Sequence, residues 1–419
     1  MRPAPDSPGS SHRTRRAWLG GAIGTFGAFA TLALPALAAA GNGTATRSAA
    51  GAATVALIAL ADDPRYAARR LERAYPGHPA GRLLDAAQLG AADSEVTLRG
   101  IGRSIQVRDV LLPDLAALPA RLAQLRQERV GYWLLDLPPA AIAQAVGAAG
   151  DAALLFNLSA PQDSLRGADC AATLLHTMPS QAMLQDALAQ YLAARSWRKA
   201  WVLHGPGAED DQLLQAWNRA AARYGIRNVG VKPFKLSGDP RERDLANTRL
   251  LTSDREHDVV VVLDTDGEFA RTLPYATQQP RPVVGSNGLS ALAWHPQWER
   301  NGGPQVSRRF RKLAGRTMTG QDWSAWIAVR SIAAVLVEQP SKGALEQARA
   351  LRGDSVYLDG AKGPRLSYRA WDGQLRQPVF LSHGDGVIGV APVDGVLHPL
   401  EQLDTLGIDR QESRCKAAP

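Results

Sequence analysis

The sequence predicts an α/β protein with parallel sheets, and two observations carry this prediction. Residues 259–263 are five consecutive apolar residues, four of them valines, with polar residues on both sides. Such a run is typical of a strand that helices cover on both faces. Two further strands are predicted at 199–204 and 228–234, and residues 209–224 between them carry apolar side chains at helical spacing. A strand, a helix and a strand at this interval form a βαβ unit.

The same alternation extends along most of the chain. In the first half we predict strands at 54–60, 104–112, 130–135, 152–156 and 174–177, and helices at 82–92, 114–128 and 138–148. In the second half we predict helices at 181–195, 306–314, 322–338 and 344–351, a strand at 281–285, and hairpin strands at 356–358, 365–368, 378–383 and 387–393. Residues 64–81 contain three prolines, and we expect them to be irregular.

Two strand–helix runs meet near residues 177–180, which indicates two lobes with a cleft between them. We expect 54–177 and 286–338 to form the first lobe, and 179–284 and 342–395 to form the second. Residues 39–53 read as a flexible tether and 396–419 as a C-terminal tail. Clefts between such lobes close on ligands by hinge motion.

Composition and charge exclude some classes of protein. Of the 419 residues, 45% are hydrophobic and 21% are charged, as in globular proteins rather than disordered ones. The net charge is +8, but residues 1–38 contain four arginines and one aspartate, which leaves +5 for the rest. Because the basic residues form no stripe interleaved with aromatics, we predict no nucleic-acid partner.

The N-terminus has the pattern of an export signal. Basic residues precede an apolar run at 17–37, and Ala36-Leu37-Ala38 fits a small-residue cleavage site. Arg15 and Arg16 fit either a twin-arginine signal or a general secretory signal that happens to contain two arginines. We therefore predict a cleaved signal peptide at 1–38 and a periplasmic protein.

Cys170 and Cys415 are the two cysteines of the chain. In an oxidising compartment such a pair is a candidate disulfide, which would tie the C-terminal tail to the first half of the chain. Their spacing alone does not decide between a disulfide and two free thiols.

Polar side chains follow several predicted strands, and open α/β sheets bind ligands at the carboxyl ends of their strands. Asp264, Asp266 and Glu268 suit either a site for a cation, an ammonium group or hydroxyl groups, or a solvated turn. The other candidate ligand contacts are Asn157, Ser159, His204, Ser286, Asn287 and Trp294. The alternatives are a loop-stabilising role for Asn157 and Ser159, a core or loop position for His204, and a packing role for Trp294.

The sequence WDGQLRQPV at 371–379 is the most specific of several stretches that resemble one family. The others are 175–180, 203–206, 259–269, 294–296, 298–300 and 403–407. They are similar to periplasmic substrate-binding-like proteins encoded with PQQ-dependent alcohol dehydrogenase systems, which are distant relatives of branched-chain amino acid binding proteins. The resemblance implies the type I periplasmic binding protein fold, with two Rossmann-like lobes, a central cleft and three hinge crossings.

The resemblance also implies a function. We expect a monomeric solute-binding component of an ABC-type import system linked to PQQ-dependent alcohol oxidation, which binds a small molecule and reaches the membrane only through a permease or dehydrogenase partner. The sequence contains no His-Glu-x-x-His, Cys-x-x-Cys or G-x-S-x-G motif, and we predict no enzyme activity, no metal and no cofactor.

One departure from the family pattern bears on the ligand. Amino acid binding members place small hydroxyl residues and glycines after the third and fourth strands, whereas this chain has Asp-Leu-Pro-Pro at 136–139 and Asn-Leu-Ser-Ala-Pro at 157–161. Proline lacks the backbone N–H that a carboxylate would accept from. The alternative function is therefore an accessory or docking protein of the dehydrogenase system that holds no small ligand.

Overall fold

The structure is a computed structural model and describes residues 51–395 and 397–416. The predicted signal peptide at 1–38, residues 39–50 of the predicted tether and the last three residues of the tail lie outside the described residues.

Helices and strands alternate along the described chain. The elements of its first part are β1 (Ala52–Leu60), α1 (Ala68–Arg73), α2 (Leu84–Arg99), β2 (Ser104–Leu112), α3 (Leu118–Gln127), β3 (Tyr132–Asp136), α4 (Pro139–Ala149), β4 (Leu154–Asn157) and β5 (Leu174–His176). Its middle part contains α5 (Gln181–Ala194), β6 (Lys199–His204), α6 (Ala208–Arg223), β7 (Arg227–Pro233), α7 (Thr248–Leu251), β8 (Val259–Leu263), β9 (Val283–Gly285) and β10 (Leu289–Leu292). Its last part contains α8 (Gly303–Ala314), α9 (Gly320–Glu338), α10 (Ala344–Arg352), β11 (Leu358–Asp359), β12 (Arg365–Tyr368), β13 (Leu375–Arg376), β14 (Val379–His383) and β15 (Gly386–Ala391). Short 3-10 helices lie at Pro64–Tyr66, Leu115–Ala117, Asp163–Arg166, Pro240–Ala246, Leu273–Tyr275 and Gln402–Thr405.

Two large sheets organise these elements. The first has the order β2-β1-β3-β4-β5, and all of its strands are parallel. The second has the order β15-β14-β10-β9-β8-β6-β7, in which β14 pairs antiparallel with both β10 and β15. A small antiparallel sheet contains β11, β12 and β13. Every residue of β8 is fully buried, as its unbroken apolar sequence predicts.

Each large sheet has an apolar core on both faces. Two buried clusters flank the first sheet and two flank the second. We call the first sheet with its helices the first lobe and the second sheet with its helices the second lobe. The chain passes between them three times, after β5, after β10 and after β13. The Gln377 side chain donates to the carbonyl of Thr177 at 2.7 Å, so the first and third crossings lie side by side.

Three local predictions need correction. Residues 64–81 contain helix α1, because the prolines lie outside Ala68–Arg73 and leave that turn free to form. Strand β1 begins at Ala52 within the predicted tether, since Ala52 already pairs with Ser104 of β2. Strand β10 was not predicted; it pairs with β9 and β14 and so adds to the second sheet.

Two segments pack with the opposite lobe from the one expected. Residues 286–292 were expected in the first lobe, but β10 belongs to the second sheet. Residues 342–376 were expected in the second lobe, but α10 contacts α9 and β4, and the Tyr368 hydroxyl lies 2.9 Å from the Ser331 hydroxyl of α9. Both segments are amphipathic or apolar, and such a pattern does not specify which of two apolar cores it covers.

The C-terminal tail connects to both lobes. Leu403 and Leu406 are buried, and the backbone N–H of Gly407 donates to Asp186 of α5 at 2.8 Å. Cys170 and Cys415 form a disulfide in the structure, at a sequence separation of 245 residues.

Candidate functional site

The carboxyl ends of strands from both lobes meet at a cavity of about 560 Å³. The first lobe contributes the loops after β1, β3 and β4, and the second contributes α5, β10 and the loops after β8 and β9. This is the position at which open α/β sheets bind ligands, because the loops there diverge around a crevice. The cavity is large enough for a small organic molecule.

Five residues that line the cavity each have a buried polar atom with no hydrogen-bond partner in the described part of the chain. The atoms are Ser159 Oγ, Gln162 Oε1, Gln185 Oε1, Ser290 Oγ and Gln321 Oε1. Buried polar groups are nearly always hydrogen-bonded, and leaving one unpaired costs about 1–3 kcal/mol. Serine hydroxyls and glutamine amides can reorient about their side-chain torsions, so these groups are available to a ligand that enters the cavity.

The charged groups of the first-lobe wall pair with one another. Arg65 lies 2.6 Å from Asp63 and 2.8 Å from Asp136, and the Tyr66 hydroxyl donates to Asp136 at 2.5 Å. Burial, followed by the negative charge of Asp136, raises the pKa of Tyr66 and keeps its hydroxyl protonated. These residues hold the loops after β1 and β3 together.

A second set of ion pairs joins the lobes across the mouth of the cleft. Arg70 of α1 pairs with Asp266 and also donates to its backbone carbonyl at 2.8 Å. Arg73 of the same helix pairs with Glu268. Gly267 between the two acidic residues has a φ of +81°, and a Cβ there would lie 3.0 Å from the Tyr75 ring, so glycine permits this close approach.

Asp264 begins the same loop but turns into the protein. Its carboxylate accepts from the backbone N–H of Ala270 at 2.9 Å, and its own N–H donates to the Ser286 hydroxyl at 2.9 Å. Burial raises the pKa of Asp264. The residue therefore shapes the loop and borders the cavity.

The predicted site residues fall into three groups. Ser159, Asp264, Asp266 and Ser286 line the cavity. Asn287 and Trp294 line a smaller adjoining cavity of about 260 Å³. Asn157, His204 and Glu268 do not contribute to either wall.

The contacts of Asn157, His204 and Trp294 match their alternative roles. Asn157 is fully buried, and its side chain accepts from the backbone N–H of Ala160 at 3.0 Å and donates to the carbonyl of Ala160 at 2.8 Å. His204 Nδ1 lies 3.0 Å from the carbonyl of Gly205. Trp294 stacks on Trp323 with ring centroids 6.4 Å apart.

Sequence reasoning missed the glutamines of the wall. Gln185 lies four residues after Gln181 in α5, so both occupy the helix face that also carries Leu184 and Leu188 toward the cavity. Polar side chains on an otherwise buried helix face were the available signal. Gln321 and Ser290 had no such signal, because they come from the first turn of α9 and from the unpredicted strand β10.

Among the described residues, no group of three or more His, Cys, Asp or Glu side chains is arranged to hold a metal ion. No helix within 51–395 or 397–416 is both long enough and apolar enough to span a membrane.

Solved structures with the same fold include substrate-binding proteins of ABC transporters. A branched-chain amino acid ABC transporter periplasmic ligand-binding protein from Burkholderia xenovorans superposes with a TM-score of 0.66 at 14% identity, covering 87% of this chain and 100% of its own. A solute-binding protein from R. palustris in complex with benzoate gives 0.61 at 15% identity over 87% and 100%. A substrate-binding protein from Desulfitobacterium hafniense in complex with leucine gives 0.60 at 14% over 80% and 99%. No protein-family model and no curated protein matches the chain.

These similarities show the fold. The chain has the type I periplasmic binding protein fold that the sequence predicted, with two α/β lobes, a central cleft and three crossings. Because the identities are low, the ligand has to be argued from the residues of this cleft.

Proposed function

We propose that this chain is the periplasmic solute-binding component of an ABC-type import system and captures a small molecule between its lobes. The observation that carries the proposal is the set of five buried, unpartnered polar atoms that belong to residues lining one inter-lobe cavity. A docking protein without a ligand would gain stability by replacing such groups with apolar ones. The neighbours with this fold, which include proteins solved with benzoate and with leucine, support the same role.

A link to PQQ-dependent alcohol oxidation is a finer part of the proposal. It rests on the resemblance of 371–379 and the other stretches, and it predicts that an ABC permease or a PQQ-dependent dehydrogenase is the partner. The alternative remains an accessory protein that docks on the dehydrogenase. Pro138 and Pro139 favour that alternative, because they remove two backbone donors from the loop that borders the cavity.

A thermal-shift screen tests the proposal directly. The panel contains short alcohols, aldehydes, carboxylates, amino acids, PQQ, calcium and a lanthanide ion. A ligand at about 100 times its dissociation constant stabilises a protein by roughly 2.7 kcal/mol, so we expect a saturable rise in the unfolding midpoint with one class.

A cavity-filling variant identifies the site. Ala291 lies on the cavity wall, and Ala291→Trp should abolish the ligand-induced shift by occupying the cavity. Ala143→Trp on the exposed face of α4 is the matched control and should retain it. A shift that survives in Ala291→Trp would place the ligand elsewhere, and a flat panel with capture of the dehydrogenase in a pull-down would favour the docking role.

A further inference from the structure

We propose that the cleft binds an uncharged organic molecule that carries hydroxyl or amide groups. This inference rests on the proposed function, since it assumes that the inter-lobe cavity holds a small ligand. Apart from the exposed Glu209, the charged groups on the cavity wall already have partners within the protein, whereas several neutral polar groups have none among the described residues.

The cationic side chains of the wall are engaged by the protein itself. Arg65 and Arg70 are the arginines among the described lining residues, and no lysine lines the cavity there. Arg65 bonds to Asp63 and Asp136, and Arg70 bonds to Asp266. A ligand carboxylate would have to compete with these pairs for a cation, and an unpaired buried charge is costly.

The starts of α4 and α5, which border the cavity, are closed to anions as well. Helix α4 has proline at its N-cap and first position, which removes two of the donors that a helix start offers. In α5 the first three N–H groups donate to the protein: Gln181 to the carbonyl of Pro161 at 2.8 Å, Ala182 to Asp163 at 3.1 Å and Met183 to Ser180 at 3.2 Å. A carboxylate therefore finds no free N–H group at the starts of α4 and α5 of the kind that commonly binds anions. The start of α6, whose Glu209 also lines the cavity, carries three acidic residues in its first turn, and their negative charge disfavours an anion.

The acidic side chains of the wall do not offer a site for an ammonium group. Asp63 and Asp266 are paired with arginines, and Asp264 accepts from the backbone of Ala270. Glu209 lies exposed at the start of α6, where solvent screens its charge. A zwitterionic amino acid would thus meet charged groups that the protein already engages at both of its ends.

The groups that do lack partners are neutral. Ser159, Gln185, Ser290 and Gln321 are at most 8% exposed, and each has a buried hydroxyl or amide oxygen with no partner among the described residues. Hydroxyls and amides of a ligand can both donate and accept, which matches such a set. Leucine and proline side chains supply the rest of the wall, namely Leu137, Pro139, Leu184, Leu188 and Leu292.

Matched pairs of probes test the charge preference. Benzamide and benzoate share a ring and differ in charge, and 1,2-propanediol and lactate form an aliphatic pair. We expect the neutral member of at least one pair to raise the unfolding midpoint of the mature protein, with a dissociation constant at least about tenfold below that of its carboxylate. L-Leucine should give a smaller shift than the neutral probe.

Two variants connect the preference to the wall. Gln185→Met and Ser290→Ala should each raise the dissociation constant of the neutral probe about tenfold. The unfolding midpoint without ligand should stay the same or rise, because each variant replaces an unpartnered buried polar group by an apolar one. Gln144→Met on the exposed face of α4 is the control and should leave both quantities unchanged.

The outcomes separate the inference from the function on which it rests. Tighter or equal binding of benzoate, lactate or leucine would overturn the inference and leave the solute-binding function intact. Unchanged neutral binding in Gln185→Met and Ser290→Ala with a lowered ligand-free midpoint would show that these groups are structural, and would also overturn it. No response to any probe would count against the proposed function and the inference together.

Discussion

His78 is a residue whose protonation acts on the mouth of the cleft. Its Nδ1 lies 3.2 Å from a guanidinium nitrogen of Arg70, the residue that pairs with Asp266. Burial, followed by the positive charge of Arg70, lowers the pKa of His78 to about 4, and the charge of Asp266 opposes this only in part. A neutral imidazole can accept from Arg70, whereas an imidazolium would repel it.

The lowered pKa predicts a loss of stability in acid. An unfolded histidine titrates near 6.5, so between about pH 6.5 and pH 4 the unfolded chain binds a proton that the folded chain does not. The contribution of neutral His78 is fully present above this window and is lost as the pH falls through it. The variant His78→Gln keeps a hydrogen-bond acceptor but has no group that titrates in this window. Between pH 7 and pH 4 we expect its free energy of unfolding to fall by roughly 1–2 kcal/mol less than that of the wild type, a value that allows for screening by solvent.

Urea unfolding of the two proteins at both pH values measures this difference. His383→Gln is the control, because His383 is exposed at the end of β14. Parallel pH dependence of the wild type and His78→Gln would contradict the assignment.

Single residues show which positions at the cavity could be predicted from the sequence and which could not. Ser159 and Asp264 were placed at the cavity because they directly follow strands, and strand ends fix position through topology. Asn157 follows a strand too, but its side chain turns back to its own loop, as short amide side chains often do. Gln321 reaches the cavity through the packing of α9, and packing partners are not encoded in local sequence.

At the scale of elements, α1 acts as a latch between the lobes. We use latch for the pairs of Arg70 with Asp266 and of Arg73 with Glu268. The helix belongs to the first lobe, and the two acidic residues lie in the second-lobe loop after β8. The side chains of Arg73 and Glu268 are both about one quarter exposed, so this pair contributes more than a fully exposed one, whereas the exposed Asp266 carboxylate makes the other pair weaker.

Removal of the latch should favour a more open cleft. We expect the double variant Arg70→Gln, Arg73→Gln to weaken the closed arrangement by about 1 kcal/mol, which is roughly a fivefold shift in the balance between closed and open forms. Small-angle X-ray scattering would show a larger radius of gyration without ligand. Arg99→Gln removes an exposed pair with Glu95 within α2 and should leave the radius unchanged; an unchanged radius in the double variant would refute the latch.

Elements were predictable where their sequences carry a strong period. The strands Lys199–His204 and Ser104–Leu112 have the predicted bounds, the first because it is largely apolar and the second because it alternates between apolar and polar residues and ends before Pro113. Helix α1 and strand β10 were missed because they have six and four residues, too few to show a period. The latch could therefore not be predicted from the sequence. Its acidic residues, Asp266 and Glu268, were instead predicted as candidate ligand contacts.

At the scale of the whole molecule, the C-terminal tail adds a fourth connection between the lobes. Arg369, which follows β12 of the first lobe, donates to Asp404 of the tail at 2.8 Å, and Arg223 of the second lobe donates to the carbonyl of Gly407 at 2.9 Å. The disulfide of Cys415 with Cys170 then fixes the end of the tail to the segment before β5. The sequence suggested the cysteine pair, but the contacts with both lobes depend on the fold as a whole.

A covalently fixed tail should both stabilise the protein and restrict its opening. A cross-link over 245 residues removes much of the freedom of the unfolded chain, and native disulfides typically contribute about 2–4 kcal/mol. We therefore expect the double variant Cys170→Ser, Cys415→Ser to have a free energy of unfolding lower by about 2–4 kcal/mol, measured by urea unfolding. We also expect it to show a larger ligand-free radius of gyration than the wild type. Reducing agent should shift the wild type toward the variant and leave the variant unchanged. If the variant is as stable as the wild type but has a larger radius, the disulfide restricts opening without stabilising the fold. If it is less stable but has the same radius, the disulfide stabilises the fold, and opening is restricted by the three crossings and the latch.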